Sequence, residues 1–285
     1  MAQILIRNLP QFYLLTPATA QDFVMVFLHG WLLSHAYWQP LIAQLQTHVC
    51  CLSYDLRGFG QSKTGNLPHT LVSYVEDLAE MLDRLHIGKV WLVGHSLGGT
   101  LALWGAHLMG QRVLGVVCLN SGGGIYIEQD FRRLRFAGRV IAYARPQWLA
   151  QLSWLARRFA QDSVYQPLAW HWGKQRLKDF VSADLRAVLG LLLDSTTERE
   201  VHLLPQLVAS LTQPVYFVAG ECDRIMQAKF VKHLASFHPS FQRGESIYRE
   251  IPNCGHIAML EHTELVRDIL LQLTVYNQIS STPTS

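Results

Sequence analysis

Charge is scarce in this 285-residue chain: 16% of residues are Asp, Glu, Lys or Arg, against 49% hydrophobic. That balance affords a sizeable core and argues against disorder along the chain. The formal net charge is only +3, and no block of lysine and arginine tracks a phosphate backbone. Nucleic acid is therefore not an expected partner. Cysteine is also sparse. Cys50, Cys51, Cys118, Cys222 and Cys254 contain no C-x-x-C pair, so neither a metal spacing nor a disulfide framework is visible. This suits a reducing compartment. Long apolar runs are missing too. The longest nearly uninterrupted one, Ala187–Leu193, is far short of a membrane span. The opening MAQILIRNLPQFYLL lacks a basic start, a long apolar stretch and a small-residue cleavage site. No signal peptide is expected, which points to the cytoplasm.

What is present alternates. Apolar runs at Val24–Gly30, His48–Gly58, Lys89–Ser96, Arg112–Gly123, Gln213–Asp223 and Glu245–His256 are rich in Val, Ile and Leu, and most are bounded by glycine. Such runs fit strands buried on both faces of a parallel sheet. Between them lie helical patterns. Leu71, Val75, Leu78, Leu82 and Leu85 recur at helical spacing, and Leu97–Gly110 is small and apolar on most sides, as a buried helix would be. The alternation predicts an α/β fold with a doubly wound, mostly parallel sheet. It spans 1–123 and 211–276.

The rhythm breaks across 124–210, where no clear strand signal occurs. From Ile125 to Arg186 there are eleven Lys/Arg and five Asp/Glu, and Trp148, Trp154, Trp170 and Trp172 all fall here. An inserted helical lid is expected. The last residues, 277–285, have the composition of a disordered tail.

The chemistry concentrates at Gly94-His95-Ser96-Leu97-Gly98. A G-x-S-x-G sequence is a weak signal alone, but a strand before it and a helix after it are its confirming context. The two glycines leave room for close backbone packing around a strained serine. The helix that follows turns its free N–H groups and positive dipole end toward that serine. A serine hydroxyl needs a base, and the base needs an orienting group. The acid should come next in the chain and the histidine last. Asp223, with Glu221 as competitor, and His256 follow later strands, on the sheet edge where Ser96 emerges. Asp223 is preferred because it lies further beyond its strand. Two backbone N–H groups should hold an oxyanion: Leu97, just after the serine, and Trp31, in the loop "FLHGW". His29 is expected to fix that loop by hydrogen bonding. Cys222 and Cys254 read as small buried residues that lie near one another.

These pieces together resemble the α/β-hydrolase superfamily. They are "HGW" at His29–Trp31, "YDLRGFGQS" at Tyr54–Ser62, "GHSLGG" at Gly94–Gly99, "GECDRI" at Gly220–Ile225 and "GHIAMLE" at Gly255–Glu261. They cover most of the chain outside the insertion, in the expected order. The resemblance implies Ser96 as nucleophile, Asp223 as acid and His256 as base. It implies a structural turn, not catalysis, for Asp55 and Arg57. Serine at the elbow separates the chain from haloalkane dehalogenases, which use aspartate there. Thr100 stands where the similar "GYSMGGR" of menaquinone-pathway enzymes has arginine. The expected reaction is hydrolysis of a small-molecule carboxylic ester, without metal or organic cofactor. The aromatic and aliphatic insertion implies an apolar or lipid-like acyl or alcohol group. Its arginines imply an anionic head group or contact with a membrane surface. Carbon–carbon bond hydrolysis, acyl transfer, a lyase reaction and non-catalytic ligand binding remain open on the same scaffold.

Overall fold

The alternating pattern becomes one eight-stranded sheet. The computed structural model describes residues 2–122 and 128–276, without the side chains of 128–132, 134 and 276. The tail expected at 277–285 and the first residues of the insertion lie outside this range. In chain order the elements are β1 (Ala2–Ile6), β2 (Leu9–Leu15), β3 (Val24–Leu28), α1 (Gln39–Leu45), β4 (Cys50–Tyr54), α2 (Leu71–Arg84), β5 (Val90–His95), α3 (Leu97–Met109) and β6 (Val113–Leu119). The insertion supplies α4 (Glu128–Tyr143), α5 (Ser153–Gln161), α6 (Trp170–Ser182), α7 (Leu185–Ser195) and α8 (Glu198–Ser210). Then come β7 (Val215–Gly220), α9 (Ala228–Ala235), α10 (Pro239–Gln242), β8 (Tyr248–Ile251), α11 (Ala258–Glu261) and α12 (Thr263–Leu271).

The strand order is β1-β2-β4-β3-β5-β6-β7-β8. From β4 to β8 the pairing is parallel, whereas β1–β2 and β2–β4 are antiparallel. The antiparallel edge is absent from the strand pattern read in the sequence. Its two strands are joined by Arg7 and Asn8, both with positive φ, the backbone of a two-residue hairpin turn. Arg7 lacks the usual glycine or asparagine signal. Its backbone N–H donates to Glu80, and its guanidinium bonds Ser73 and Glu76, tying the turn to α2.

Burial on both faces follows from the strand period of two. In β5, Val90 and Leu92 join the core cluster that holds α2, α3 and α9, while Trp91 and Val93 join the cluster on the other face with α1 and α12. Observed strands are shorter than the apolar runs. The run that begins at His48 ends as a strand at Tyr54; the Asp55 N–H still reaches Phe12 O at 3.0 Å, while its carboxylate accepts backbone N–H groups from His35 and Gln61.

Helix α2 starts at a capping Thr70, whose hydroxyl accepts the Ser73 N–H at 3.2 Å. Helix α3 is buried from Leu97 through Ala106, apart from Thr100. The insertion divides in two by packing. Ala187, Val188 and Leu191 of α7 and Leu207 and Val208 of α8 belong to the main core cluster. Ala156 of α5 with Leu177 and Val181 of α6 form a small cluster of their own. Trp148, Trp154 and Trp170 are exposed, whereas Trp172 stacks obliquely on Tyr37 at 5.8 Å. Among the described residues no helix is long and apolar enough to cross a membrane.

Candidate active site

The central position of β5, between β3 and β6, brings its C-terminal end to the middle of the sheet edge. There Ser96 has φ 53° and ψ −122°, a strained conformation that persists only where its surroundings enforce it. Its N–H donates to Leu119 O at 3.1 Å, and its carbonyl accepts from Gly99 N at 2.9 Å and Ser121 Oγ at 2.6 Å. Two glycines permit the turn for steric reasons. A Cβ on Gly94 would strike the backbone of Gly98 and Gly99, and one on Gly98 would strike the carbonyls of Leu28 and His29. The loop after β3 lies directly against the serine: a Cβ on Gly30 would come within 3.1 Å of Ser96 Cβ. The Trp31 N–H therefore belongs to the segment bordering Ser96. Leu97, the first residue of α3, has an N–H without an intrahelical acceptor. The Trp31 indole donates to Val188 O at 3.0 Å, anchoring the loop to α7.

His256 Nδ1 lies 2.8 Å from Asp223 Oδ2. Opposite a carboxylate that nitrogen carries the proton, so Nε2 is left as the basic lone pair. The competitor Glu221 instead accepts the Asn253 N–H from an exposed position. Burial alone would raise the Asp223 carboxyl. The bond and charge of His256, then the Met226 N–H and the Asn120 amide, outweigh it and hold the group below its ordinary value. Ser96 and His256 line one cavity of about 370 Å³, with walls that are mainly apolar, among them Leu32, Leu33, Phe159, Phe180 and Ile257. Gly30, Trp31 and Arg176 share the lining.

Three further residues brace this arrangement. Asn120, at the end of β6 with φ 48°, donates to Asp223 Oδ2 at 2.9 Å and to Gly255 O at 3.0 Å. Glu261 accepts three N–H groups, from Gly255, Ile257 and Tyr165. His95 Nε2 donates to the His256 carbonyl at 2.7 Å, and the two rings lie 4.7 Å apart. Burial first, then the neighbouring His256, push His95 down to about 3, so it stays neutral. None of these partnerships has a local sequence signal beyond the position of Asn120 and His95 at strand ends. The insertion also reaches the site. Ser163, just after α5, accepts the His256 N–H at 2.7 Å.

The remaining sequence expectations fall outside the cavity or beside it. His29 accepts the Leu56 N–H at Nε2 and donates from Nδ1 to Gly30 O, which fixes the loop. Asp55 bonds His35 and Gln61, and Arg57 pairs with Asp77. Both serve the turn between β4 and α2. Cys222 N donates to Cys254 O at 2.8 Å, and both thiols are free. Cys254 is buried, but Cys222 is only partly so.

A strained serine at the end of a central parallel strand, sharing a cavity with a histidine held by an aspartate, defines an enzyme of the α/β-hydrolase class. The alpha/beta hydrolase family model matches residues 25–269, and the chain belongs to that family. It is 29% identical over 231 residues to a 2-succinyl-6-hydroxy-2,4-cyclohexadiene-1-carboxylate synthase from Salmonella arizonae, covering 80% of this chain and 88% of that protein. It is 24% identical over 249 residues to a pimeloyl-(acyl-carrier protein) methyl ester esterase from Pseudoalteromonas atlantica, covering 87% and 92%. Among solved structures, a thermophilic esterase from Thermogutta terrifontis superposes with a TM-score of 0.77 at 20% identity, over 95% of this chain and 97% of that one. This last likeness is one of fold.

Proposed function

We propose that this protein hydrolyses a carboxylic ester through Ser96, His256 and Asp223. The observation that carries the reading is the 2.8 Å bond from His256 to Asp223, with His256 and Ser96 on one cavity. His256 Nε2 takes the Ser96 proton as Oγ bonds to the ester carbonyl carbon. The tetrahedral oxyanion accepts the N–H groups of Leu97 and Trp31, each worth about 3 kcal/mol of barrier. The proton passes from His256 to the departing alkoxide as the C–O bond breaks. Water, deprotonated by His256, then attacks the acyl-enzyme and returns Ser96 and the free acid. Asp223 holds the tautomer and stabilises the imidazolium. The apolar walls supplied by Phe159, Phe180 and Ile257 support an apolar body for the bound ester. Tyr165 and Ser163 bond the segment around His256, which supports a role for the insertion in closing the site.

A panel of p-nitrophenyl esters, run beside Ser96→Ala and a fluorophosphonate probe, tests this. Wild type is expected to turn over esters and take the label. Ser96→Ala should lose about three orders of magnitude in kcat or more, with its melting curve retained. Full labelling and turnover by Ser96→Ala would sink the nucleophile. The likeness to the Salmonella synthase keeps elimination as the second reading. An elimination would proceed through proton abstraction by His256 and leave the ester panel unhydrolysed, although a serine activated by His256 would still take the label.

A further inference from the structure

Arg176 of α6 is out of place on the mainly apolar cavity that Ser96 and His256 share. Its side chain is only 9% exposed. Among the described lining residues it is the one guanidinium or ammonium group. A buried cation is costly unless something anionic answers it. Its Nη1 donates to two neutral acceptors, Phe159 O at 2.7 Å and Asp162 O at 2.6 Å. Those bonds set the guanidinium's orientation without cancelling its charge. Among the described residues the one carboxylate paired with it, Asp162, stands 3.4 Å from Nη2, beyond the usual length of a charge-assisted bond, and its side chain is 64% exposed. Asp179, one turn further along α6, is committed elsewhere, to Ser34 and Gln175.

The geometry points to a carboxylate-binding subsite: we propose that the cavity takes a small ester carrying a free carboxylate, a half-ester of a short dicarboxylic acid, with Arg176 as the group that receives that carboxylate. The proposal rests on Ser96 being the nucleophile for the ester end. A cavity of about 370 Å³ is near the small limit for ligand pockets, which favours a compact substrate over a long acyl chain. Arginine suits the task because its planar fork matches a carboxylate and it stays charged. Asp162, weakly placed and mostly in water, is the internal anion that the substrate displaces.

Binding and turnover test the two ideas separately. Glutarate is titrated calorimetrically into the full-length protein and into Arg176→Gln, Arg176→Lys and Asp162→Asn, with thermal melts to confirm folding. Wild type should bind, Arg176→Gln should bind about tenfold more weakly or worse, and Arg176→Lys should fall between. Asp162→Asn should bind severalfold more tightly, because the competing anion is gone. Equal affinity in wild type and Arg176→Gln, or no binding to wild type, overturns the proposal. Should Arg176→Gln fail to fold, Asp162→Asn decides: tighter binding supports the subsite, and unchanged or weaker binding overturns it. In turnover, the ratio of kcat/KM for p-nitrophenyl hemiglutarate to that for p-nitrophenyl butyrate should fall about threefold in Arg176→Lys and about tenfold or more in Arg176→Gln. An unchanged ratio counts against Arg176. If Ser96 takes no fluorophosphonate label while glutarate binding still depends on Arg176, the nucleophile fails and the subsite stands.

Discussion

Asn120 and Gly255 are 135 residues apart in sequence, yet the Asn120 amide donates to the Gly255 carbonyl at 3.0 Å and to Asp223 Oδ2 at 2.9 Å. One side chain thus fixes the acid and the backbone just before His256. Its donation to Asp223 favours the ionised carboxylate. Asn120→Ala should lower kcat for ester hydrolysis by about tenfold or more, since a hydrogen bond to a charged group is worth about 1.5–3 kcal/mol. KM should change little, because Asn120 is not among the residues lining the cavity. Steady-state kinetics on the best ester of the panel would settle it. An unchanged kcat would mean that Asp223 needs no help in holding His256.

Glu261 offers a different handle on the same loop. Its Oε2 accepts Tyr165 N at 2.7 Å and Gly255 N at 3.0 Å, and its Oε1 accepts Ile257 N at 3.1 Å. The carboxylate therefore ties the insertion to the segment that carries His256. Glu261→Gln keeps the shape but turns one acceptor oxygen into a donor, facing N–H groups that also donate. The expected cost is about 2 kcal/mol of stability, seen as a lower urea midpoint. Limited proteolysis within 162–168 should also speed up, because that connection loses an anchor. A variant with wild-type midpoint and cleavage rate would show that Tyr165 is held by other contacts.

The contrast between these residues and Ser96 explains what a sequence can disclose. Ser96 announces itself locally: glycines two positions to either side, a strand before and a helix after. Asp223 and His256 are found by order, since the parallel sheet delivers successive strand ends to one edge. Asn120, Glu261 and His95 act on backbone groups or side chains brought together only by the fold, such as the His95 bond to the carbonyl of His256, 161 residues away. No spacing rule encodes that. The β1–β2 hairpin is nearly as silent, because Arg7 takes positive φ with neither glycine nor asparagine and Asn8 alone marks the turn. Composition did mark the insertion as helical and aromatic. It could not show that Val188 and Leu191 pack into the main core while Ala156 and Leu177 keep to a separate cluster.

Arg57 is the sharpest stability test outside the cavity. Its Nε lies 2.7 Å from Asp77 Oδ2, and its remaining donors reach Pro68 O, Leu67 O and Ser73 Oγ. Both partners are almost fully buried. Burial raises the Asp77 carboxyl above its ordinary value, and the charges of Arg57 and Arg7 offset this only in part. Arg57→Met leaves that carboxylate only Arg7, at 3.5 Å, and should cost about 3 kcal/mol. Arg57→Met combined with Asp77→Leu should recover a large share, because no unpaired charge is left behind. Equilibrium urea unfolding of both variants measures the difference. A double variant no more stable than the single one would show that the other hydrogen bonds of Arg57 matter more than its charge.

Acid sensitivity follows from histidines that burial holds below their ordinary value, of which His29 and His95 are the most deeply buried. Burial is the main cause that pushes His29 down to about 4 and His95 down to about 3. Both stay neutral in the folded protein near neutrality, whereas the unfolded chain protonates them at about pH 6.5. The unfolded state therefore binds more protons below that pH, and stability falls as the solution is acidified. The loss begins near the unfolded value and grows until the folded values are reached. Asp223 and Asp55 act in the other direction of charge. Their folded carboxyls are held below the ordinary value, so their contribution is intact at neutral pH and is lost only as acid protonates them. Between about pH 7.5 and about pH 5 the histidines dominate, at about 2 kcal/mol for each of the two fully buried ones, against an opposing gain of about 1 kcal/mol from Asp179, whose carboxyl burial pushes up to about 6. Urea unfolding across that interval should show the folding free energy dropping, and His29→Gln should make the slope shallower by about a third of the histidine share, because burial also pushes His69 down to about 4. A profile that stays flat down to about pH 5 in Asp179→Asn as well would mean that His29 and His95 take up protons in the folded state nearly as readily as in the unfolded one.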